Sequence, residues 1–227
     1  MINKLFIYHK YQRYLSYILE KLIYLYDKDT GLHIKRIKLY SKLIAKELNC
    51  SKEFISEIEL VSSLHDIGKI FISKKILNKE EKLTEIEFKK MKKHSLYGKY
   101  ILTYLKFGDI AKNIAEFHHE HFNGKGYPHG LKGEEIPIEA RIVSLVDIYD
   151  ALRQKRCYKD ALPHEQTLEI LKNLSGDQLD IKVVDSFLKN QYKFNKIFEK
   201  FTIHKKSSSI LSEISKKHYT RVDDEVI

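Results

Sequence analysis

Along most of this chain apolar residues recur every three or four positions, and on three of the resulting faces a histidine stands among them. His33 precedes Ile37, Tyr40, Ile44 and Leu48. His65 closes a face that runs from Phe54 through Ile58 and Val61, and His94 lies on one with Met91, Gly98, Ile101 and Leu105. This periodicity predicts helices, and nine glycines and three prolines in 227 residues leave few places to interrupt them. The expected fold class is all-α, with strands minor at most.

The helices can be placed approximately from their stops and starts. Ile7, Tyr11, Tyr14, Ile18, Leu22 and Leu25 form an apolar stripe on an N-terminal helix, read as docking on the core, with a dimer seam as the alternative. A break follows at Asp27 to Gly31. Thr84-Glu85-Ile86-Glu87 has the capping-box pattern, in which threonine and glutamate satisfy each other's free backbone donors, so a helix starts there and continues past His94. Another, near Asp109 to His121, carries His118-His119 at its end. Gly124, Gly126, Gly130 and Gly133 then surround Tyr127-Pro128, a composition that forbids a helix and favours a shaped loop. Pro137 suits the first turn of a helix on which Ala140, Val143, Asp147 and Ala151 share a face. Two shorter helices are expected over Pro163 to Leu174 and Asp177 to Lys189, separated by Ser175-Gly176. The expected organisation is an N-terminal helix over 1–26, a main domain over 27–190 and a basic, partly flexible tail over 191–227.

Several function classes lose support at this stage. Cys50 and Cys157 form no CxxC pair, which speaks against a zinc finger or a disulfide framework and for a reducing, cytoplasmic location. The segment Leu5 to Leu25 is interrupted by Lys10, Arg13, Glu20 and Lys21, so neither a signal-peptide core nor a membrane span is expected. The formal charge of +10 attracts phosphates of any kind, but Lys and Arg are dispersed without a basic block. A DNA or RNA polymer is therefore not the expected partner.

The remaining constellation carries chemistry. His33, His65, Asp66, His94, His118, His119 and Asp147 all fall at inward or helix-end positions. Burying that many ionisable groups without compensation costs several kcal/mol for each charged one. Divalent cations remove that cost. Imidazole and carboxylate donors together suit iron, manganese or zinc, and seven donors exceed one tetrahedral site, so two ions are the minimum reading. Adjacent donors His65 and Asp66, read as lying on one helix, can serve neighbouring ions, with Asp66 bridging. Two ions about 4 Å apart can activate water and stabilise charge on a phosphoryl group, which makes phosphoester hydrolysis the leading reaction class.

The motif His65-Asp66-Ile67-Gly68-Lys69, followed by His118-His119 and Gly126-Tyr127-Pro128, resembles the HD-GYP domain. The similarity runs from about Asp27 to Leu174. It includes Thr30-Gly31-Leu32-His33, the stretch from His119-Glu120 to Pro137, Asp147-Ile148-Tyr149-Asp150-Ala151-Leu152 and Arg156-Cys157-Tyr158-Lys159. The resemblance implies an HD-superfamily helical bundle with a Gly-rich GYP loop that hydrolyses cyclic di-GMP to pGpG, with GMP as a further product. Other cyclic dinucleotides or nucleotides, or binding without turnover, are the alternatives.

The resemblance also implies roles for particular residues. His33, His65, Asp66, His94, His118, His119 and Asp147 would hold two divalent ions, iron or manganese. Asp29 is the candidate ligand for a third, although similar three-metal proteins tend to carry the longer glutamate there. Asp66 and Lys69 would be catalytic, the lysine reaching toward a phosphate. Gly126, Tyr127, Pro128, Arg156 and Lys159 would bind substrate, with Cys157 in place of the proline more usual in that segment. Asp150 is placed as a group that orients a ligand or water. His121, His129 and His164 fall outside the set and are read as surface or loop residues. Regulation would come from a homodimer, a protein partner or expression.

Overall fold

The computed structural model describes residues 2–26, 30–154 and 160–202. Among the described residues before 191, ten helices are defined: α1 (Ile2–Tyr26), α2 (Thr30–Glu47), α3 (Lys52–Val61), α4 (Lys74–Leu77), α5 (Glu85–Lys92), α6 (His94–Tyr104), α7 (Asp109–Phe117), α8 (Ile138–Arg153), α9 (His164–Leu174) and α10 (Ile181–Lys189). Among the described residues there are no strands, only isolated bridges between Asn123 and Lys132 and between Ser175 and Leu179. The all-α expectation holds. No described helix is long and apolar enough to cross a membrane.

The chain divides into two units, Met1–Asn190 and Gln191–Ile227; of the second, residues 191–202 are described and helical. In the first unit the core is built from α2, α3, α6, α7 and α8. Ile37, Tyr40, Ile44, Ile58, Leu64, Leu102, Ile114, Ile142, Val143 and Val146 are all fully or nearly fully buried. Burying side chains of this size contributes about 1.5–3 kcal/mol each before the entropy of ordering them is subtracted. Gly98 lets α6 approach α7 closely, since a Cβ there would stand 3.1 Å from Ala115 Cβ.

Helix α1 differs from the expectation. Its buried face is Gln12, Ser16, Leu19 and Ile23, while Tyr11, Tyr14, Ile18, Leu22 and Leu25 are exposed. The reason is polar. Gln12 Nε2 donates to the Lys106 carbonyl at 2.9 Å and Ser16 Oγ to the Leu60 carbonyl at 3.1 Å, so the docked side satisfies backbone acceptors that an apolar face would leave bare.

Several helices also end earlier than periodicity alone predicts. α3 stops at Val61 and passes through a 3-10 turn, Ser62–Leu64, so His65 and Asp66 lie in a turn and not on one α-helix. The helix begun by the Thr84 capping box breaks at Lys93, which makes His94 the first residue of α6. α7 ends at Phe117, leaving His118 and His119 beyond it. In each case the break falls at or beside a histidine of the candidate site.

Candidate metal centre

Five segments deliver the seven predicted donors to one place. α2 supplies His33, the turn after α3 supplies His65 and Asp66, and α6 begins with His94. His118 and His119 follow α7, and Asp147 projects from α8. The donor atoms form two groups within which all lie inside 4.8 Å of one another: Asp66, His94, His118 and His119, and His33, His65 and Asp147.

Asp66 joins them. Its Oδ1 stands 3.4 Å from His94 Nε2 and 3.8 Å from His118 Nε2, while its Oδ2 stands 3.4 Å from His65 Nε2. Asp147 Oδ1 lies 3.5 Å from His33 Nε2 and 3.8 Å from His65 Nε2.

The imidazoles are aimed by bonds on their far sides. His65 Nδ1 contacts the Ser62 carbonyl at 2.9 Å, His94 Nδ1 the Met91 carbonyl at 2.7 Å and His118 Nδ1 the Ile114 carbonyl at 2.9 Å. These carbonyls lie at or just beyond the C-terminal ends of α3, α5 and α7, where acceptor capacity remains beyond the helical ladder, so the helix ends themselves orient the rings. His33 Nδ1 instead meets Asp150 Oδ2 at 2.7 Å, and Asp150 is held by Arg36 Nε at 2.5 Å and Nη2 at 2.9 Å. On a neutral ring, a proton on Nδ1 leaves the Nε2 lone pair facing the centre.

The centre fits divalent ions. His65 Nε2 and Asp66 Oδ1 are buried without a hydrogen-bond partner, an arrangement that a metal ion would satisfy. Burial, with neighbouring imidazoles, holds His118 and His119 well below the usual histidine pKa; burial also lowers His94. Those rings are therefore neutral and able to donate a lone pair. Burial opposes charge on His65 too, but Asp66 and Asp147 outweigh it and raise its pKa to about 9. Burial likewise pushes Asp66 up, yet Lys69, His65 and His94 hold it well below the ordinary carboxylate range.

Lys69 Nζ donates to Asp66 Oδ2 at 2.5 Å. It reaches Asp66 from the 3-10 turn Ile67–Phe71 instead of a continued α-helix. Gly68 is required here, because a Cβ would collide with the His94 carbonyl.

The Gly-rich loop lies against the donors. The Tyr127 ring stacks on His119 with centroids 4.7 Å apart, and the Tyr127 backbone N–H donates to the His119 carbonyl at 3.1 Å. Burial, with Asp66 and Asp147, raises the Tyr127 pKa, so its phenol stays protonated and can donate a hydrogen bond. Glu120 was quoted in the sequence motif without a role. Its buried carboxylate accepts from the backbone N–H groups of His129 at 2.7 Å, Gly130 at 3.0 Å and Leu131 at 3.1 Å. An acid directly after a histidine pair and before a glycine-rich stretch was the available signal.

One of the three histidines set aside, His164, differs from expectation. His129 is exposed but bonds through Nε2 to the buried Glu116 carboxylate at 2.9 Å, tying the loop to α7. His164 is buried at the start of α9, with its Nδ1 3.1 Å from the Tyr149 hydroxyl. His121 lies in the loop. Asp29, Arg156, Cys157 and Lys159 fall outside the described residues.

The HD domain family profile matches residues 17–183, a span that contains all seven donors and the loop. The chain belongs to the HD domain family. It is 37% identical over 196 residues to a cyclic di-GMP phosphodiesterase of Thermotoga maritima, covering 84% of this chain and 53% of that protein. It is 37% identical over 182 residues to 3'3'-cGAMP-specific phosphodiesterase 2 of Vibrio cholerae, covering 79% of this chain and 35% of that protein. The chain thus spans about half or less of the length of these relatives. An HDG"Y"P protein from Bdellovibrio bacteriovorus has the same fold, with a TM-score of 0.59 at 18% identity over 83% of this chain and 63% of the other.

Proposed function

We propose that this chain is a metal-dependent phosphodiesterase that hydrolyses cyclic di-GMP to linear pGpG, with a second cut to GMP as a slower step. The observation that carries the reading is the position of Asp66, whose two oxygens face two separate groups of buried donors. Two divalent ions, iron or manganese, would be held by Asp66, His94, His118 and His119 on one side and His33, His65 and Asp147 on the other, with Asp66 shared. Bound there, such ions supply Lewis acidity that polarises a phosphoryl group and neutralises its developing charge.

The chain's own groups do the rest. The ammonium of Lys69, next to Asp66, adds positive charge where the reacting phosphate must lie. Tyr127, with its protonated phenol, donates to a phosphate oxygen and fixes the substrate against the His119 side of the site. Gly126 and Pro128 hold that loop. Arg156 and Lys159 are assigned to the second phosphate and guanine on sequence resemblance alone, and Asp29 to a third ion on the same ground.

Relatives named for cyclic di-GMP and for 3'3'-cGAMP match this chain at the same 37% identity, so the second cyclic dinucleotide is the competing substrate. The test is anaerobic purification with iron and manganese supplied, elemental analysis, and turnover of cyclic di-GMP, 3'3'-cGAMP and cyclic di-AMP. The expected result is about two metal equivalents per chain and fastest cleavage of cyclic di-GMP. One equivalent or fewer, or full activity after replacing both His65 and Asp66 by Ala, overturns the proposal.

A further inference from the structure

Helix α5 has no buried residue among its eight, and its start is set by the capping box at Thr84 and Glu87 and by the Lys79–Glu87 ion pair at 2.7 Å. So short a helix gains little stability unless it packs. It nevertheless carries Phe88 with 45% of its surface exposed. Phe88 and Lys92 are four residues apart and share a face. That face adjoins the candidate centre. The Phe88 ring meets the Tyr127 ring edge-on with centroids 6.3 Å apart, and Lys92 Nζ lies 4.8 Å from the Phe88 centroid and 5.0 Å from that of Tyr127. Tyr127 is in turn stacked on His119, and the His94 ring is bonded to the Met91 carbonyl in the last turn of α5. An open aromatic ring, a cation and a phosphate-directed centre thus follow one another in a continuous series of contacts.

We propose that Phe88 and Lys92 form a base-binding subsite, in which a purine of the substrate stacks on the exposed Phe88 ring and Lys92 donates to oxygen acceptors of the same nucleotide. This deepens, and rests on, the phosphodiesterase reading above. A cyclic dinucleotide presents what the cluster accepts, namely flat π-faces held at a fixed distance from a phosphodiester. Stacking on an aromatic side chain accepts any base, while the donors of Lys92 favour one rich in oxygen acceptors. Phe88 would therefore set affinity, with Lys92 biasing the choice of base. Ion-pairing to the α5 cap explains why the helix holds its place without a buried face, but it does not explain an exposed phenylalanine beside Tyr127.

The test compares Phe88→Leu, which keeps apolar bulk and removes the flat face, with Phe88→Trp, which keeps the face. Steady-state kinetics on the metal-loaded full chain should show KM for cyclic di-GMP rising about tenfold in Phe88→Leu, with kcat changed less than about twofold and thermal midpoint unchanged. Phe88→Trp should restore KM, and Lys92→Gln should raise it more for cyclic di-GMP than for cyclic di-AMP. A wild-type KM in Phe88→Leu, or a loss confined to kcat or to stability, overturns the subsite while wild-type turnover keeps the phosphodiesterase reading intact. Failure of the wild type to cleave any of the three dinucleotides overturns both.

Discussion

At the scale of single residues, the decisive arrangement is a carboxylate that touches no other donor atom of the cluster except through a ring. Asp150 is fully buried and accepts from His33 Nδ1, from two nitrogens of Arg36 and from Gln154. Burial alone would raise its pKa, but His33 and Arg36 hold it below the usual value, so the anion persists. Its charge fixes which His33 nitrogen carries the proton and therefore which one faces Asp147. Replacing such an outer carboxylate weakens metal binding or activity by about ten- to a hundredfold. Asp150→Asn is expected to do so, and the amide also leaves Arg36 buried beside a neutral partner. Metal titration and turnover of the purified variant check this. Unchanged metal affinity together with unchanged activity would confine Asp150 to a structural role. The donors were readable from sequence because a histidine on an apolar stripe is conspicuous; the bond from Asp150 to Arg36 was not, because nothing in local spacing links residues 114 apart.

At the scale of elements, the sequence conveyed that helices exist, where the loop lies and some helix ends, such as the start at Thr84 and the stop at Ser175-Gly176, but not the breaks beside the site. The breaks at Val61, Lys93 and Phe117 were hidden because apolar periodicity continues across them, and only the ring-to-carbonyl bonds of His65, His94 and His118 show why they are there. The α1 face was misjudged for the converse reason, since polar Gln12 and Ser16 were not expected to face inward. The Gly-rich loop allows a direct test. A Cβ on Gly126 would collide with the backbone of Glu120 and His121, so Gly126→Ala must displace the segment carrying Tyr127. A stability loss of about 1–3 kcal/mol is expected from the strain, with a larger fall in turnover than in metal content. Thermal denaturation and kinetics measure both, and retained turnover would remove the loop from the reaction. Helix α5 offers a pH test. Bonds from Lys79 and from Thr84 lower the Glu87 carboxyl to about 2. A depressed folded-state pKa contributes stability above the unfolded value, about 4.5, and that contribution fades as pH falls toward 2. Between pH 5 and 2 the wild type should therefore lose more stability than Glu87→Gln, and parallel acid curves for the two proteins would refute the cap's contribution.

At the scale of the whole molecule, the seven donors tie together five segments between residues 33 and 147, and most of the buried core lies on those same segments. Metal binding should accordingly be coupled to folding. The unfolded chain cannot bring His33, His65 and Asp147 within reach of one another, so an ion binds the folded state far more tightly and stabilises it by mass action. At a free metal concentration a thousandfold above Kd, one site contributes about 4 kcal/mol. For a domain of this size each kcal/mol corresponds to about 2–4 °C, so one filled site should raise the thermal midpoint by about ten degrees. Two sites that share Asp66 should give more than one but less than the sum, because the shared carboxylate couples them. Thermal unfolding of chelator-treated protein, then of the same sample reconstituted with manganese and with iron, measures the effect. His33→Ala should abolish part of the gain and leave the rest, since the group of Asp66, His94, His118 and His119 survives it. If chelated and reconstituted samples melt together, the buried His65 nitrogen and Asp66 oxygen are satisfied by something other than a metal, and the two-ion centre falls with them.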